Sequence, residues 1–247
     1  MNNYQPETYG DRIADVYDDL YSRTESADAV AFLAELAGGG PALELGIGTG
    51  RVALPLAARG VKVQGIDASG AMVARLRAKP GGDQIPVTMG EFSQVDVEGT
   101  FSLVYVVFST FFALLTQDDQ VRCFRGVARR LTTNGVFVIE AFVPDVSRFV
   151  RGGNIAIRGI ETDQAQIDVS KHDPVTQQVT SQHVYLAEAG IKLYPVQIRY
   201  AWPSELDLMA QLAGLRLRER WANWRRETFT AASTGHISVY ERAELGG

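Results

Sequence analysis

The sequence predicts an α/β fold: a seven-stranded, mostly parallel sheet with helices on both faces and an antiparallel β insertion after strand five. Three observations carry that expectation. Ala42-Leu43-Glu44-Leu45 is a short apolar run holding one acid, and it breaks into Gly46, Gly48 and Gly50 before the helical rhythm of residues 54–59. That reads as a strand, a tight turn and a helix start. Strand-like and helix-like segments then alternate as far as residue 142, the pattern of a parallel sheet. From Arg151 the texture changes to period-two alternation rich in β-branched residues.

The elements follow in order. Tyr9–Leu20 reads as one helix with Ile13, Val16, Tyr17 and Leu20 on a single face. Ala27–Leu36 is a second helix, ended by Gly38-Gly39-Gly40-Pro41. Strand one is Ala42–Leu45, and its helix runs to about Arg59. Strand two is Lys62–Ile66. A helix over Ser69–Ala78 has Ser69 as its N-cap, because a serine hydroxyl satisfies a free N–H of the first turn. Strand three spans about Pro86–Met89. Strand four, Phe101–Val107, is apolar throughout, as a strand covered on both faces must be. Gln117–Leu131 is a helix stopped by Thr132-Thr133-Asn134-Gly135, and strand five is Val136–Phe142. Ile155–Ile160, Gln164–Ser170, Gln178–Ala187 and Ile191–Tyr200 make the insertion. Ser204–Ala213 is a helix with Gly214 just past its end, and Leu215–Trp221 and Ile237–Glu241 close the sheet as a hairpin. The expected organisation is a helical lid over 1–37, a core over 38–150 and 203–247, and a β cover over 151–202.

Composition bounds the function. The net charge is −5 over 247 residues, which disfavours a nucleic-acid backbone as partner, since phosphate contacts need clustered Lys and Arg. The one cysteine, Cys123, allows no intrachain disulfide and excludes a three-cysteine cluster site. Met1–Gly10 is polar, and the longest apolar run, Phe101–Leu115, is shorter than the roughly 20 residues of a membrane span. A cytoplasmic protein is expected.

Ligands of open α/β sheets sit at the carboxyl ends of the strands. Asp67, ending strand two about 20 residues past the glycines, stands where such sheets hold a ribose hydroxyl pair. The glycine spacing is G-x-G-x-G, with Glu44 two positions ahead, rather than the G-x-G-x-x-G of dinucleotide folds. It resembles motif I of the class I S-adenosylmethionine (SAM) methyltransferases, which have a Rossmann-like core. The resemblance implies SAM as cofactor. It implies Gly46, Gly48 and Gly50 around the methionine part, Asp67 and Ala68 at the ribose, and Met72 on the adenine. Glu91 and Phe92, after strand three, fall where an acid and its neighbour meet the adenine. Val107 and Phe108 end strand four beside the transfer site.

Tyr9-Gly10-Asp11-Arg12-Ile13-Ala14-Asp15-Val16-Tyr17-Asp18 is similar to the N-terminal lid of bacterial aminosugar N,N-dimethyltransferases, as are Phe108-Ser109 and Val138-Ile139-Glu140. That likeness spans most of the chain and is thin outside motif I. It implies that Tyr9 and Tyr17 meet the cofactor, Tyr17 at its carboxylate, and that Glu140 stands near the acceptor. The sequence departs from that family at Phe112-Ala113, where the sugar enzymes carry Gly-His. Phe112, with Tyr185, Arg199, Tyr200 and Trp202 from the cover, therefore suggests an apolar or aromatic acceptor methylated on N or O.

Base candidates are Glu140, His183 and His172, with His236 read as structural. No metal is expected: Glu140, Asp145 and the Asp118-Asp119 pair do not make a cluster. Two other readings stay open here, a SAM-binding protein without transfer activity and a nicotinamide-dependent oxidoreductase. The partner is a small-molecule substrate, with no nucleic acid and no membrane expected.

Overall fold

The computed structural model describes residues 3–21 and 26–243. Residues 1–2, 22–25 and 244–247, which fall within the expected lid and core ranges, lie outside the described residues. The main sheet holds β1 (Ala42–Leu45), β2 (Val63–Asp67), β3 (Val87–Met89), β4 (Phe101–Val106), β5 (Leu131–Phe142), β10 (Leu215–Trp221) and β11 (Gly235–Arg242). Their order is β10-β11-β5-β4-β1-β2-β3. The first five strands run parallel, and β11 pairs antiparallel with both β5 and β10. The chain builds outward from β1 in both directions, so a crevice opens at the carboxyl ends of β1 and β4.

Helices cover both faces. α3 (Ala27–Ala37) buries Val30, Phe32 and Leu33 and ends on Gly38 in the left-handed conformation. α5 (Gly70–Arg77) begins at Ser69, whose hydroxyl accepts from Met72 N at 3.1 Å. α6 (Gln117–Arg130) is capped by Thr116, which accepts from Asp119 N. It lays Phe124 edge-on against Phe111, Phe137 and Tyr240, with ring centroids 5.3–5.5 Å apart. Burying each such ring contributes roughly 1.5–3 kcal/mol. Cys123 is buried on the same face, and burial pushes its thiol far up, so it is inert packing.

Two expectations are corrected. Tyr9–Leu20 is two helices, α1 (Thr8–Ile13) and α2 (Tyr17–Tyr21). One straight helix would hold Ile13 and Tyr17 on the same face. The break lets Ile13 enter the core while Tyr17 turns its ring to Arg51. Thr132–Gly135 does not precede strand five but lies inside it. β5 starts at Leu131, paired with Phe101, and regains register at Val136 opposite Leu103. The turn residues bulge out of a strand that continues on both sides.

The insertion forms a second, four-stranded antiparallel sheet of β6 (Gly153–Ile160), β7 (Gln164–Asp173), β8 (Gln178–Ala187) and β9 (Gly190–Arg199). Its register sorts polarity by face. Asn154, Ser170 and Ser181 share one row, and Ala156, Asp168 and His183 the next. Ile155 and Ile157 point the other way and are each 70% exposed. This sheet turns its polar face inward, opposite to an ordinary half-buried sheet, because that face lines a cavity.

Candidate active site

The cavity lies between the carboxyl ends of the parallel strands, the N-terminal helices and the inner face of the second sheet, and its volume is about 750 Å³. Pockets that enclose a drug-sized ligand run to roughly 300–1,000 Å³.

Its floor is the glycine loop. Gly46 and Gly48 line it; Gly50 does not, because it packs away from the cavity against Leu54 and Leu76. Gly48 has φ +55°, and a Cβ there would meet only Met72 Cε at 3.4 Å, so its outer side is open. Its N–H donates to Asp67 Oδ2 at 2.7 Å, and Ser69 N donates to Oδ1 at 2.8 Å. A carboxylate offers about four acceptor positions, so Asp67 keeps acceptor capacity for a ligand. Burial raises the Asp67 pKa and the Asp11 charge adds to this, against the N–H groups of Ser69, Gly48 and Ala68. Ala68 and Met72 line the cavity beside it, as do Phe92 and, at the exposed rim, Glu91.

Glu44 also lines the floor, although it is 3% exposed. Tyr105 donates to its Oε2 at 2.9 Å. Burial first, then the neighbouring Asp67 charge, push its pKa up to about 8.

The roof is α1 and α2. Tyr9 and Tyr17 face the cavity, and the Tyr9 and Tyr21 hydroxyls are 3.2 Å apart. Burial pushes Tyr17 up to about 12. Polar ties hold the roof to the floor. Ser69 Oγ donates to Asp11 Oδ1 at 2.6 Å; Asp18 takes Thr49 Oγ1 at 2.6 Å and Lys79 Nζ at 2.7 Å.

Arg51 was not legible as a site residue. Its guanidinium lies 3.5 Å from the Phe108 ring centroid and 5.5 Å from those of Tyr17 and Tyr21. Its Nε is buried without a hydrogen-bond partner among the described residues. The one sequence signal was its place directly after the third glycine.

The end of β4 is strained. Phe108 and Ser109 both have left-handed φ, +57° and +61°, a conformation costing non-glycine residues about 1–3 kcal/mol each. Glu140 secures this corner. Its Oε2 accepts from Phe108 N at 2.8 Å, its Oε1 from Trp224 Nε1 at 3.2 Å, and its carbonyl from Ser109 N at 3.2 Å. Each carboxylate oxygen thus braces one N–H, and Glu140, unlike Asp67, does not line the cavity. The expectation of an acid beside the acceptor is corrected: this one braces backbone. Glu140→Ala is expected to lower stability by about 1–3 kcal/mol, the cost of an unsatisfied buried donor. Thermal unfolding followed by tryptophan fluorescence checks it, and an unchanged midpoint would remove the brace.

Other expected wall residues lie elsewhere. Val107 is buried beneath the corner. Phe112 is fully buried, edge-on to Phe111 and Phe142, because the short turn after β4 points it into the core. Arg199 is held by Gln120 at 2.6 Å and Glu205 at 2.7 Å, fastening β9 to the α6 side. Tyr200 is 5% exposed and bonds to His172 Nε2 at 3.0 Å. Tyr185 packs edge-on against Tyr194. Trp202 faces a separate shallow cleft beside Phe229. His236 is buried on Ser238, its pKa lowered to about 4 by burial and Arg220.

The second sheet brings His183 to the cavity. Its Nδ1 lies 2.5 Å from Asp168 Oδ1, and Arg158 Nε donates to Oδ2. Asp168 was missed, since only the β7–β8 register places it opposite His183. No group of three or more metal-ligating side chains is found among the described residues, and no described helix is long and apolar enough to cross a membrane.

Comparison with known proteins places residues 42–135 in a methyltransferase domain family. The structure of the CcbJ methyltransferase from Streptomyces caelestis is 42% identical, covers 97% of this chain and 100% of that one, and superposes with a TM-score of 0.90. A cypemycin N-terminal methyltransferase from a Streptomyces species is 27% identical over 243 residues, 96% of this chain and 98% of that one. SAM-bound CalS10, an amino pentose methyltransferase from Micromonospora echinaspora, shares the fold at 21% identity and a TM-score of 0.69, over 92% of this chain and 97% of that one.

Proposed function

The chain belongs to the class I SAM-dependent methyltransferases, and on that premise we propose that it methylates a nitrogen of a small acceptor. The carrying observation is the Asp67–Gly48 contact, which sets an acid with free acceptor positions against an open glycine loop. The relative named as an N-terminal methyltransferase favours nitrogen over oxygen.

Three features of the cavity fit the cofactor: the open side of Gly48, the spare acceptor positions of Asp67, and the unpartnered Nε of Arg51. When bound, SAM supplies a methyl on a sulfonium, an already activated leaving group. Asp67 accepts from both ribose hydroxyls, with Ala68 beside them. Met72 and Phe92 pack on the adenine, and Glu91 accepts from its amino group at the rim. Arg51 and Tyr17 take the carboxylate, and Glu44 the ammonium. Gly46 and Phe108 shape the floor beneath the reacting centre. Orientation of this kind can contribute roughly 7–11 kcal/mol. Incubating the protein with SAM and an amine library and measuring S-adenosylhomocysteine tests the reading; binding without turnover would make the chain a SAM binder.

The N-terminal helices act as the lid, since a roof that closes excludes water from the reaction. Hydrogen exchange over residues 8–21 is expected to slow when S-adenosylhomocysteine is added, and Asp18→Asn to restore fast exchange. Burial raises the Asp18 pKa, but Lys79 and Thr49 outweigh it and hold it below the ordinary value. The latch is therefore complete above the usual carboxylate range and is lost as pH falls through that lowered value. Exchange unaffected by ligand, variant and pH would mark a fixed helix pair.

A further inference from the structure

We propose that His183, held by Asp168, is the proton acceptor for a basic aliphatic amine substrate. The proposal rests on the methyltransferase reading and names the substrate class for that same site.

An aliphatic amine is protonated near neutral pH and has no free electron pair to offer. Something must take its proton before a C–N bond can form. His183 stands on the cavity wall, on the inner face of the second sheet. Its Nδ1 is engaged by Asp168 Oδ1, so Nε2 is the nitrogen left to the cavity, and it has no hydrogen bond among the described residues. A carboxylate on one imidazole nitrogen fixes the tautomer and leaves the other with its lone pair.

Asp168 is suited to that positioning role. Its side chain is 8% exposed, and His183 and Arg158 take one oxygen each. Burial raises its pKa, yet those two hydrogen bonds outweigh it and keep the carboxyl ionised. The groups around the pair are few. Tyr9 of the lid has its ring centroid 6.4 Å from that of His183. Tyr194 lies opposite His183 in β9, and Tyr185 follows it along β8. Tyr21 acts on Tyr185, and Asp15 on Tyr194. The pKa values of Tyr9, Tyr185 and Tyr194 are all raised by burial, which leaves them neutral donors and His183 the base.

The chemistry balances. The acceptor ammonium gives its proton to Nε2 and keeps the electron pair, which then forms the new C–N bond. The electron pair of the broken C–S bond stays with sulfur. An aromatic amine, already neutral, needs no such step; a phenol would need a base as well, and the relative named as an N-terminal methyltransferase favours nitrogen over it.

The test is a series of graded basicity: piperidine, morpholine, benzylamine and aniline. His183→Gln is expected to lower kcat by about 10²–10⁴-fold for piperidine at pH 7, the usual contribution of a general base. The loss should shrink towards aniline, and should recover for piperidine as pH rises to the amine's own pKa. Asp168→Asn should shift the pH profile in the same sense. Equal losses across the series, or a profile that keeps its shape, would overturn the proposal.

A second readout does not depend on turnover. The chain has three histidines, so the His183→Gln variant identifies the His183 signals in ¹⁵N spectra. With S-adenosylhomocysteine bound at pH 8, Nδ1 should carry the proton and Nε2 none; a proton on Nε2 would sink the idea. Affinity of S-adenosylhomocysteine should be equal in wild type and His183→Gln. If the wild type itself fails to bind it, the methyltransferase reading fails, and not merely the choice of base.

Discussion

Asp67→Ala is expected to weaken S-adenosylhomocysteine binding by about 10²–10⁴-fold. Two charge-assisted hydrogen bonds contribute about 1.5–3 kcal/mol each, and about 1.4 kcal/mol corresponds to a tenfold change in affinity. The loss has a second component. Asp67 Oδ2 also holds Gly48 N at 2.7 Å, so its removal frees the loop at a residue whose open side faces the cavity. The fold should survive, because Asp67 is a buried acid whose pKa is already raised, and its loss removes a desolvated charge as well as two contacts. Calorimetric titration measures the affinity, and thermal unfolding measures the fold. A variant that melts like the wild type and binds equally well would take Asp67 out of the site.

Glu44→Gln should do two opposite things: stabilise the free protein and weaken the cofactor. Its carboxyl titrates near pH 8 in the folded state, against about 4.3 in an exposed chain. A raised acid binds more protons folded than unfolded, so stability falls as pH climbs from about 4 towards 8. At pH 7 that amounts to about 4 kcal/mol at roughly 1.4 kcal/mol per pKa unit. Glutamine keeps the acceptor that Tyr105 uses and has nothing to ionise. The melting temperature of the variant should rise at pH 7 by about 8–16 °C, taking about 2–4 °C per kcal/mol for a chain of this size. The gain should vanish near pH 4.

The cofactor side of the same residue has the opposite sign. An ammonium beside Glu44 favours its charged form, so binding expels a proton below pH 8. Wild-type affinity for S-adenosylhomocysteine should therefore rise from pH 6 to pH 8, and the heat of binding should depend on the buffer. The glutamine variant should bind more weakly and lose both dependences. Variants that retain the pH slope would assign the proton to another group. Such a trade between stability and function is common where a site keeps a buried charge.

The brace at Glu140 and the pair at His183 show where sequence reading stops. Both were legible as candidates near the site, from residue type and from position at a strand end. What each carboxylate or imidazole touches depends on partners far along the chain. Glu140 meets Phe108 and Trp224, 32 and 84 residues away, and those bonds turn an expected base into a backbone support. His183 meets Asp168 only through the β7–β8 register, and a one-residue slip would send either side chain to the opposite face.

By itself the sequence determined the sheet, its insertion, the capped helices and the glycine loop flanked by Glu44 and Asp67. Those signals are local: glycine spacing, hydrophobic period and a cap lie within a few residues of the element they specify. The tertiary structure alone decided which aromatic rings are core and which are wall. Phe112 and Tyr200 went to the core, and Tyr9, Tyr17 and Phe108 to the cavity with Arg51 among them. It also decided that the second sheet turns its polar face inward. Period-two alternation fixes that a sheet has two unlike faces, but not which of them meets the cavity; that follows from how the strands join the core and from the space left there for a polar ligand.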